Sequence, residues 1–178
     1  LPLPAPTPSA MAASLPWFPV VGALLGLFAA VLYAAARLVL PSLVAAALAI
    51  AAVILVTGAL HEDGLADSAD AWGGGSSREE TLRILRDPQH GTYAVLALVL
   101  SVLLRVATLA SLTPVAAVAV LPAVHAISRG VLVGLLAATP AARNDGLVSG
   151  FASLASARPT AITLVVTGAF GVALLGPW

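Results

Sequence analysis

Residues 42–72 read SLVAAALAIAAVILVTGALHEDGLADSADAW: nineteen residues without a charge, then four acids within the next ten. The first part matches the roughly 20 apolar residues a helix needs to cross the hydrocarbon core of a bilayer. The second part is too polar to enter it. Moving outward, the same apolar texture recurs at residues 17–40, 92–112, 114–138 and 160–175. With 42–60 these predict about five transmembrane spans, so the expected fold is all-α, a polytopic integral membrane helix bundle. A short cytoplasmic helical segment is expected between spans 2 and 3, and residues 1–178 are expected to form a single transmembrane catalytic domain. Pro41 and Pro114 each suit the first turn of a new helix, and Pro122 is expected to kink the fourth span. Residues 1–16, uncharged and rich in Pro, read as an extended lead-in.

Composition supports this reading. The chain is 60% hydrophobic and 9% charged, with a mean hydropathy of +1.05. Soluble domains carry roughly 25% charged residues, which excludes an ordinary water-soluble fold. All eight basic residues are Arg and the net charge is zero, so no basic surface is available for nucleic acid. Without Cys there is no thiol nucleophile, disulfide or thiolate metal site. A cleaved secretory leader is not expected, because the first apolar run is too long and lacks a basic flank.

With five spans, residues 61–91 and 140–159 fall on the same side as the N-terminus. That side carries Arg78, Arg83, Arg86, Arg143 and Arg158, and the other carries Arg37. The positive-inside rule makes the Arg-rich side cytoplasmic.

Seven of the eight acids fall between Glu62 and Asp87, and the eighth is Asp145. If residues 61–72 are helical, Asp63, Asp67 and Asp70 stand at i, i+4 and i+7, on one face. Three like charges so placed destabilise a helix, and a divalent cation is the simplest offset. Carboxylate oxygens suit magnesium, manganese or calcium; zinc fits less well, since only His61 is adjacent. A solvated acidic face paired with Arg83 and Arg86 is the plainer alternative.

Ser76 with Glu79, or Ser77 with Glu80, forms a capping box that starts a short helix ending at Asp87-Pro88. Arg83 and Arg86, three apart, suit either a phosphate clamp or a basic rim at the interface. Arg105 and Arg129 fall inside predicted spans, where a charge needs a partner or a cavity. An anionic ligand such as phosphate is one answer; helix carbonyls, Ser101 and Ser128 are the other. The pairs Gly22/Gly26 and Gly130/Gly134 fit close helix contacts, and packing within one chain is favoured over dimerisation.

Acids that can hold a cation, Arg residues and a site beside lipid suggest phosphoryl-group chemistry. No nucleophile elbow is present, and His61-Glu62 is not completed to the zinc-protease motif His-Glu-x-x-His.

The run His61-Glu62-Asp63-Gly64-Leu65-Ala66-Asp67-Ser68-Ala69-Asp70 followed by Gly73-Gly74 closely resembles the cobalamin synthase family, the adenosylcobinamide-GDP ribazoletransferases. Arg78-Glu79-Glu80, Leu85-Arg86-Asp87 and Gly91-Thr92-Tyr93 extend the resemblance, and Phe18-Pro19-Val20-Val21-Gly22 and His125-Ala126-Ile127-Ser128-Arg129 resemble the family more weakly. The resemblance implies a multi-pass enzyme of the bacterial or archaeal cytoplasmic (inner) membrane with its active site facing the cytoplasm. It implies a magnesium-dependent transfer that joins adenosylcobinamide-GDP to α-ribazole, or to α-ribazole 5′-phosphate, with release of GMP. On this basis Asp63, Asp67 and Asp70 hold Mg2+, with Glu62 as a further ligand or the general base. His61 and His90 orient substrate, and Arg83, Arg86, Arg105 and Arg129 contact phosphate. Relative to the family pattern, the chain has Ala71-Trp72 after Asp70. It is also expected to lack a helix before Leu1 and a Gly-Asp segment beyond its last residue.

Two other readings fit the same residues. One is a membrane phosphotransferase of the CDP-alcohol type, built on the same metal logic. The other is a small transporter or scaffold, against which the absence of an internal repeat of the acidic cluster counts. A homo-oligomer is compatible with all three.

Overall fold

The computed structural model describes residues 7–139, 151 and 157–175, and among these it is all-helical. In chain order the elements are α1 (Pro8–Ser14), a 3-10 turn (Leu15–Trp17), α2 (Phe18–Ala36) and α3 (Ser42–Val56). Then come α4 (Leu60–Gly74), α5 (Arg78–Ile84), α6 (Thr92–Ser111), α7 (Pro114–Ala138) and α8 (Ala157–Leu175). The polar stretch 140–150, with Arg143 and Asp145, lies outside the described residues.

Three helical stretches are long and apolar enough to cross a membrane: Ser9–Ala36, Thr92–Ser111 and Pro114–Ala138. The second expected span is different. α3 stops at Val56, and its 15 residues rise about 22 Å, short of the ~30 Å hydrocarbon core. The chain bends by 89° before continuing as α4, and the pair makes a fourth, broken candidate whose apolar part ends before the acids. The fifth expected span is matched by an apolar stretch at Arg158–Ala173, shorter than the others. The described residues therefore give three to four spans where five were expected. Residues 8–16 are also helical where an extended lead-in was expected: Thr7 caps α1 by accepting the Ala10 N–H at 3.3 Å, and Pro8 occupies its first turn.

The bend has a local cause. The Ala59 N–H donates to the Ile54 carbonyl at 2.8 Å and the Gly58 N–H to the Leu55 carbonyl at 3.1 Å. This Schellman pattern requires a left-handed residue after the helix, and Gly58 supplies it at φ 64°. Ala59 follows it into the left-handed region at φ 56°. α4 then starts afresh, with the Asp63 N–H donating to the Ala59 carbonyl at 2.8 Å.

The chain divides into two compact units, residues 31–114 and residues 1–30 with 115–178. In the second of these, Gly22 and Gly26 of α2 lie against the α7 backbone: a Cβ at Gly26 would sit 2.6 Å from the Leu121 carbonyl carbon. A Cβ at Gly130 of α7 would overlap Thr167 of α8. The small-residue pairs therefore pack within the chain, as expected. α7 runs through buried Pro122 without a break.

In the unit of residues 31–114, α6 packs on both α3 and α4, and α5 packs on α4. Ala45, Ala46, Ala49, Ile50 and Val53 form the buried stripe of α3. The fully buried Tyr33 donates its hydroxyl to the Leu112 carbonyl at 2.9 Å, which ties the end of α2 to the end of α6. This unit carries the acidic segment.

Candidate functional site

Residues 60–74 form one helix, so the i, i+4, i+7 reading of Asp63, Asp67 and Asp70 applies. The packed face of α4, however, lies beside that stripe. Ala66 is fully buried, and Glu62 and Asp70 stand one turn to either side of it on the face toward α6. Glu62 meets Arg105, and Asp70 meets Gly91 and Ala94, so α4 and α6 run antiparallel.

At the start of α4, Glu62 Oε1 accepts from Arg105 Nη1 at 2.8 Å. The Glu62 side chain is 12% exposed and that of Arg105 37%. Arg105 Nε also donates to the Ser101 carbonyl at 3.3 Å. The charge in the third span is thus met by an acid and a helix carbonyl of the same chain. This arrangement takes up much of the phosphate-binding capacity expected of Arg105. Glu62 Oε2 is buried without a hydrogen-bond partner.

Near the end of α4, buried Asp70 serves the first turn of α6. Gly91, at the N-cap of α6, has no side chain to accept the orphan N–H groups there. Asp70 Oδ1 accepts from the Ala94 N–H at 2.9 Å, and Oδ2 accepts from the Gly91 N–H. These backbone donors hold the Asp70 carboxyl below the usual carboxylate range. A Cβ at Gly73 would fall 2.5 Å from the Tyr93 ring, so the same contact needs a glycine one turn further on.

Asp63 is exposed, and the Asp67 side chain is 30% exposed with Oδ1 3.9 Å from His90 Nδ1. That spacing is an electrostatic approach, too long for a hydrogen bond. Asp70, His90, Thr92 and Tyr93 border a recess of about 400 Å3 between the end of α4 and the start of α6. His61, two residues before Asp63, projects from nearly the opposite side of α4 and is exposed, so the structure does not bring it to the Asp63–Asp67 edge.

α5 forms as the capping box predicts. Ser77 Oγ accepts from the Glu80 N–H at 3.2 Å, while Glu80 Oε2 accepts from the Ser76 N–H at 3.0 Å and from the Ser76 hydroxyl at 2.6 Å. Those bonds hold the Glu80 carboxyl below its usual range. Arg83 lies 3.8 Å from Glu80, and Arg86 falls in the turn after α5. The two Arg share a surface recess of about 550 Å3 with Glu79 and Asp87, so the charge there is mixed. In the other unit, Arg129 Nη1 donates to Ser128 Oγ at 2.9 Å and stands 3.4 Å from His125 Nδ1.

Among the described residues no three His, Asp or Glu side chains converge to hold a metal ion. The expected set of Asp63, Asp67 and Asp70 with Glu62 is therefore not assembled as one cage. Both oxygens of Asp70 face α6, and one oxygen of Glu62 faces Arg105. Magnesium commonly keeps several waters and takes one or two carboxylates plus substrate phosphates. The accessible Asp63–Asp67 pair, one turn apart, fits that mode.

Sequence reasoning missed the bond from Asp70 to the start of α6. The signal was available: an N-cap glycine cannot satisfy the first N–H groups of a helix, so an acceptor must come from elsewhere.

The family profile described as Cobalamin-5-phosphate synthase matches residues 1–177. The adenosylcobinamide-GDP ribazoletransferase of Mesorhizobium japonicum is 46% identical over 160 residues, covering 89% of this chain and 61% of that protein. Its namesake in Azorhizobium caulinodans is 47% identical over 160 residues, covering 88% of this chain and 59% of the relative. The one in Pseudomonas aeruginosa is 42% identical over 172 residues, 95% of this chain and 68% of the relative. The chain thus spans about three fifths of the length of the first two relatives. No solved structure matches.

Proposed function

The chain belongs to the cobalamin-5-phosphate synthase family, and on that premise we propose that it carries the catalytic carboxylates of a membrane-bound adenosylcobinamide-GDP ribazoletransferase. The reaction joins adenosylcobinamide-GDP to α-ribazole or α-ribazole 5′-phosphate. An acceptor hydroxyl attacks the phosphorus on the cobinamide side of the diphosphate, the bond to the GMP oxygen breaks, and GMP leaves. The observation that carries this reading is the acidic helix α4, which follows an apolar helix across an 89° bend and is held on α6 by Glu62–Arg105 and by Asp70. That arrangement supports a phosphate-transfer site at the polar edge of a membrane helix pair.

Asp63 and Asp67 would hold magnesium, which would supply neutralisation of the charge on the phosphate oxygens and the leaving GMP. His90, close to Asp67 and 40% exposed, orients the acceptor hydroxyl. Arg83 and Arg86, on α5 and its following turn, contact outlying phosphate oxygens of the donor. The site faces the cytoplasm, where nucleotide-activated substrates are held, and the positive-inside rule applied to the Arg distribution agrees.

The test is direct. Full-length protein in detergent or lipid is incubated with adenosylcobinamide-GDP, α-ribazole and magnesium, and GMP and the completed corrinoid are measured. Equal amounts of both support the reading; no product from full-length, folded protein refutes it.

A further inference from the structure

The four carboxylates of α4 are treated by the fold in two different ways. Glu62 and Asp70 are eight residues apart, about two turns, on the face where Ala66 is fully buried. Each is committed to α6: Glu62 through Arg105 Nη1 at 2.8 Å, Asp70 through the N–H groups of Gly91 and Ala94. The remaining Glu62 oxygen is buried without a hydrogen-bond partner, and no two other carboxylates or imidazoles join it among the described residues. Asp63 and Asp67 sit further round the helix, one turn apart, and are accessible.

We infer that Glu62 and Asp70 are positioning residues that lock α4 onto α6 at two points, with Arg105 as the counter-ion of Glu62, and that Asp63 and Asp67 alone supply carboxylates to the cation. The two locks fix both the rotation and the slide of α4 against α6, and so the place of Asp63 and Asp67 relative to His90, while the spacing of the two aspartates is set within α4 itself. Asp70 also satisfies the start of α6, just after His90 in the chain. Arg105 acts through Glu62 and does not reach substrate. The division of roles rests on the cation reading above; the locking of α4 to α6 does not.

The test uses the full chain in detergent, Mn2+ as the probe read by electron paramagnetic resonance, and thermal unfolding in parallel. Asp63→Asn and Asp67→Asn are each expected to weaken Mn2+ binding about ten-fold or more at an unchanged Tm, since ligand charge sets affinity. Glu62→Gln and Asp70→Ala are expected to lower Tm while Mn2+ affinity stays close to wild type. Asp70→Asn, which keeps an acceptor oxygen for α6, should recover part of the Tm lost by Asp70→Ala. Glu62→Gln with Arg105→Gln should recover part of the Tm lost by either alone, because removing one partner of this part-buried pair leaves the other charge uncompensated. A Mn2+ affinity lost in Glu62→Gln or Asp70→Asn at an unchanged Tm would overturn the inference. So would strictly additive Tm losses in the Glu62/Arg105 double variant. Failure of the wild-type protein to bind Mn2+ would sink the cation reading by itself, and the Tm cycle would still decide whether the two locks exist.

Discussion

Two glycines of α4 are set up to respond oppositely to the same substitution. Gly64 lies in mid-helix, exposed, with no atom within 4 Å of where a Cβ would be built. Gly64→Ala therefore gains helix propensity and meets no obstacle, for a stabilisation of about 0.5–1 kcal/mol. Gly73 belongs to the last turn, and a Cβ there would stand 2.5 Å from the Tyr93 ring. Carbon atoms rest about 3.5–4.0 Å apart, so Tyr93 must retreat by about 1 Å or more. Forced repacking costs ~1–3 kcal/mol, and the 54% exposure of Tyr93 puts this case in the lower half of that range. The propensity gain at the end of a helix is small, which leaves Gly73→Ala destabilising by about 1–2 kcal/mol. Because Ala is introduced both times, the comparison isolates the Tyr93 contact, and the two variants should differ by roughly 2 kcal/mol. Thermal unfolding of the purified protein in one detergent measures it. Activity should separate them too: Tyr93 follows Gly91 and Thr92, and a shift of about 1 Å near a reacting centre can cost as much as 100-fold in rate. Equal stability changes in the two variants would refute the packing of α4 on α6 described above.

Gly58→Ala should destabilise by about 1 kcal/mol in the same melt, because the left-handed φ of 64° is disfavoured for a side chain even though open space surrounds it; no loss would dismiss the Schellman turn as the cause of the bend. Asp70 and Glu80 both have carboxyls held below their usual range, so their stabilisation is complete above the ordinary carboxylate range and drains away as pH falls through it and below. The Tm should decline on that acid limb, and Asp70→Asn should flatten the decline. A reporter fused near residue 75 should read as cytoplasmic, and a periplasmic reading would overturn the orientation.

The helical class was legible because it depends on apolar composition and run length, which a bilayer fixes with little regard to detail. Thr113-Pro114 marked the start of α7 and Ser77 with Glu80 that of α5, since caps are local chemistry. The break at residues 57–59 was not legible. Thr57-Gly58 stands within an unbroken apolar run, and hydropathy does not register a turn that satisfies its own carbonyls. Residues 8–16 differ for a related reason: the Pro content of the lead-in suggests an extended segment, although Pro is at home in the first turn of a helix, where Pro8 stands.

The acidic segment shows most sharply what periodicity can and cannot deliver. Spacing placed Asp63, Asp67 and Asp70 on one face, and they do share one. Spacing could not tell which edge of that face meets a neighbour, because this depends on α6, some 20 residues further along the chain. Asp70 falls on the boundary between the exposed stripe and the packed stripe, and the N–H groups at the start of α6 draw it inward. Glu62 lies fully on the packed side and meets Arg105, the one strongly basic residue of α6. A chain with only sixteen formal charges thus uses two acids and an Arg to seat a helix in an apolar setting, where each charge is costly unless paired. The acids that remain accessible are those whose charge is not needed for the seating. That is why neutralising Glu62 and neutralising Asp63, adjacent in sequence and alike in chemistry, should produce different failures: one in the stability of the helix pair, the other in the binding of a cation.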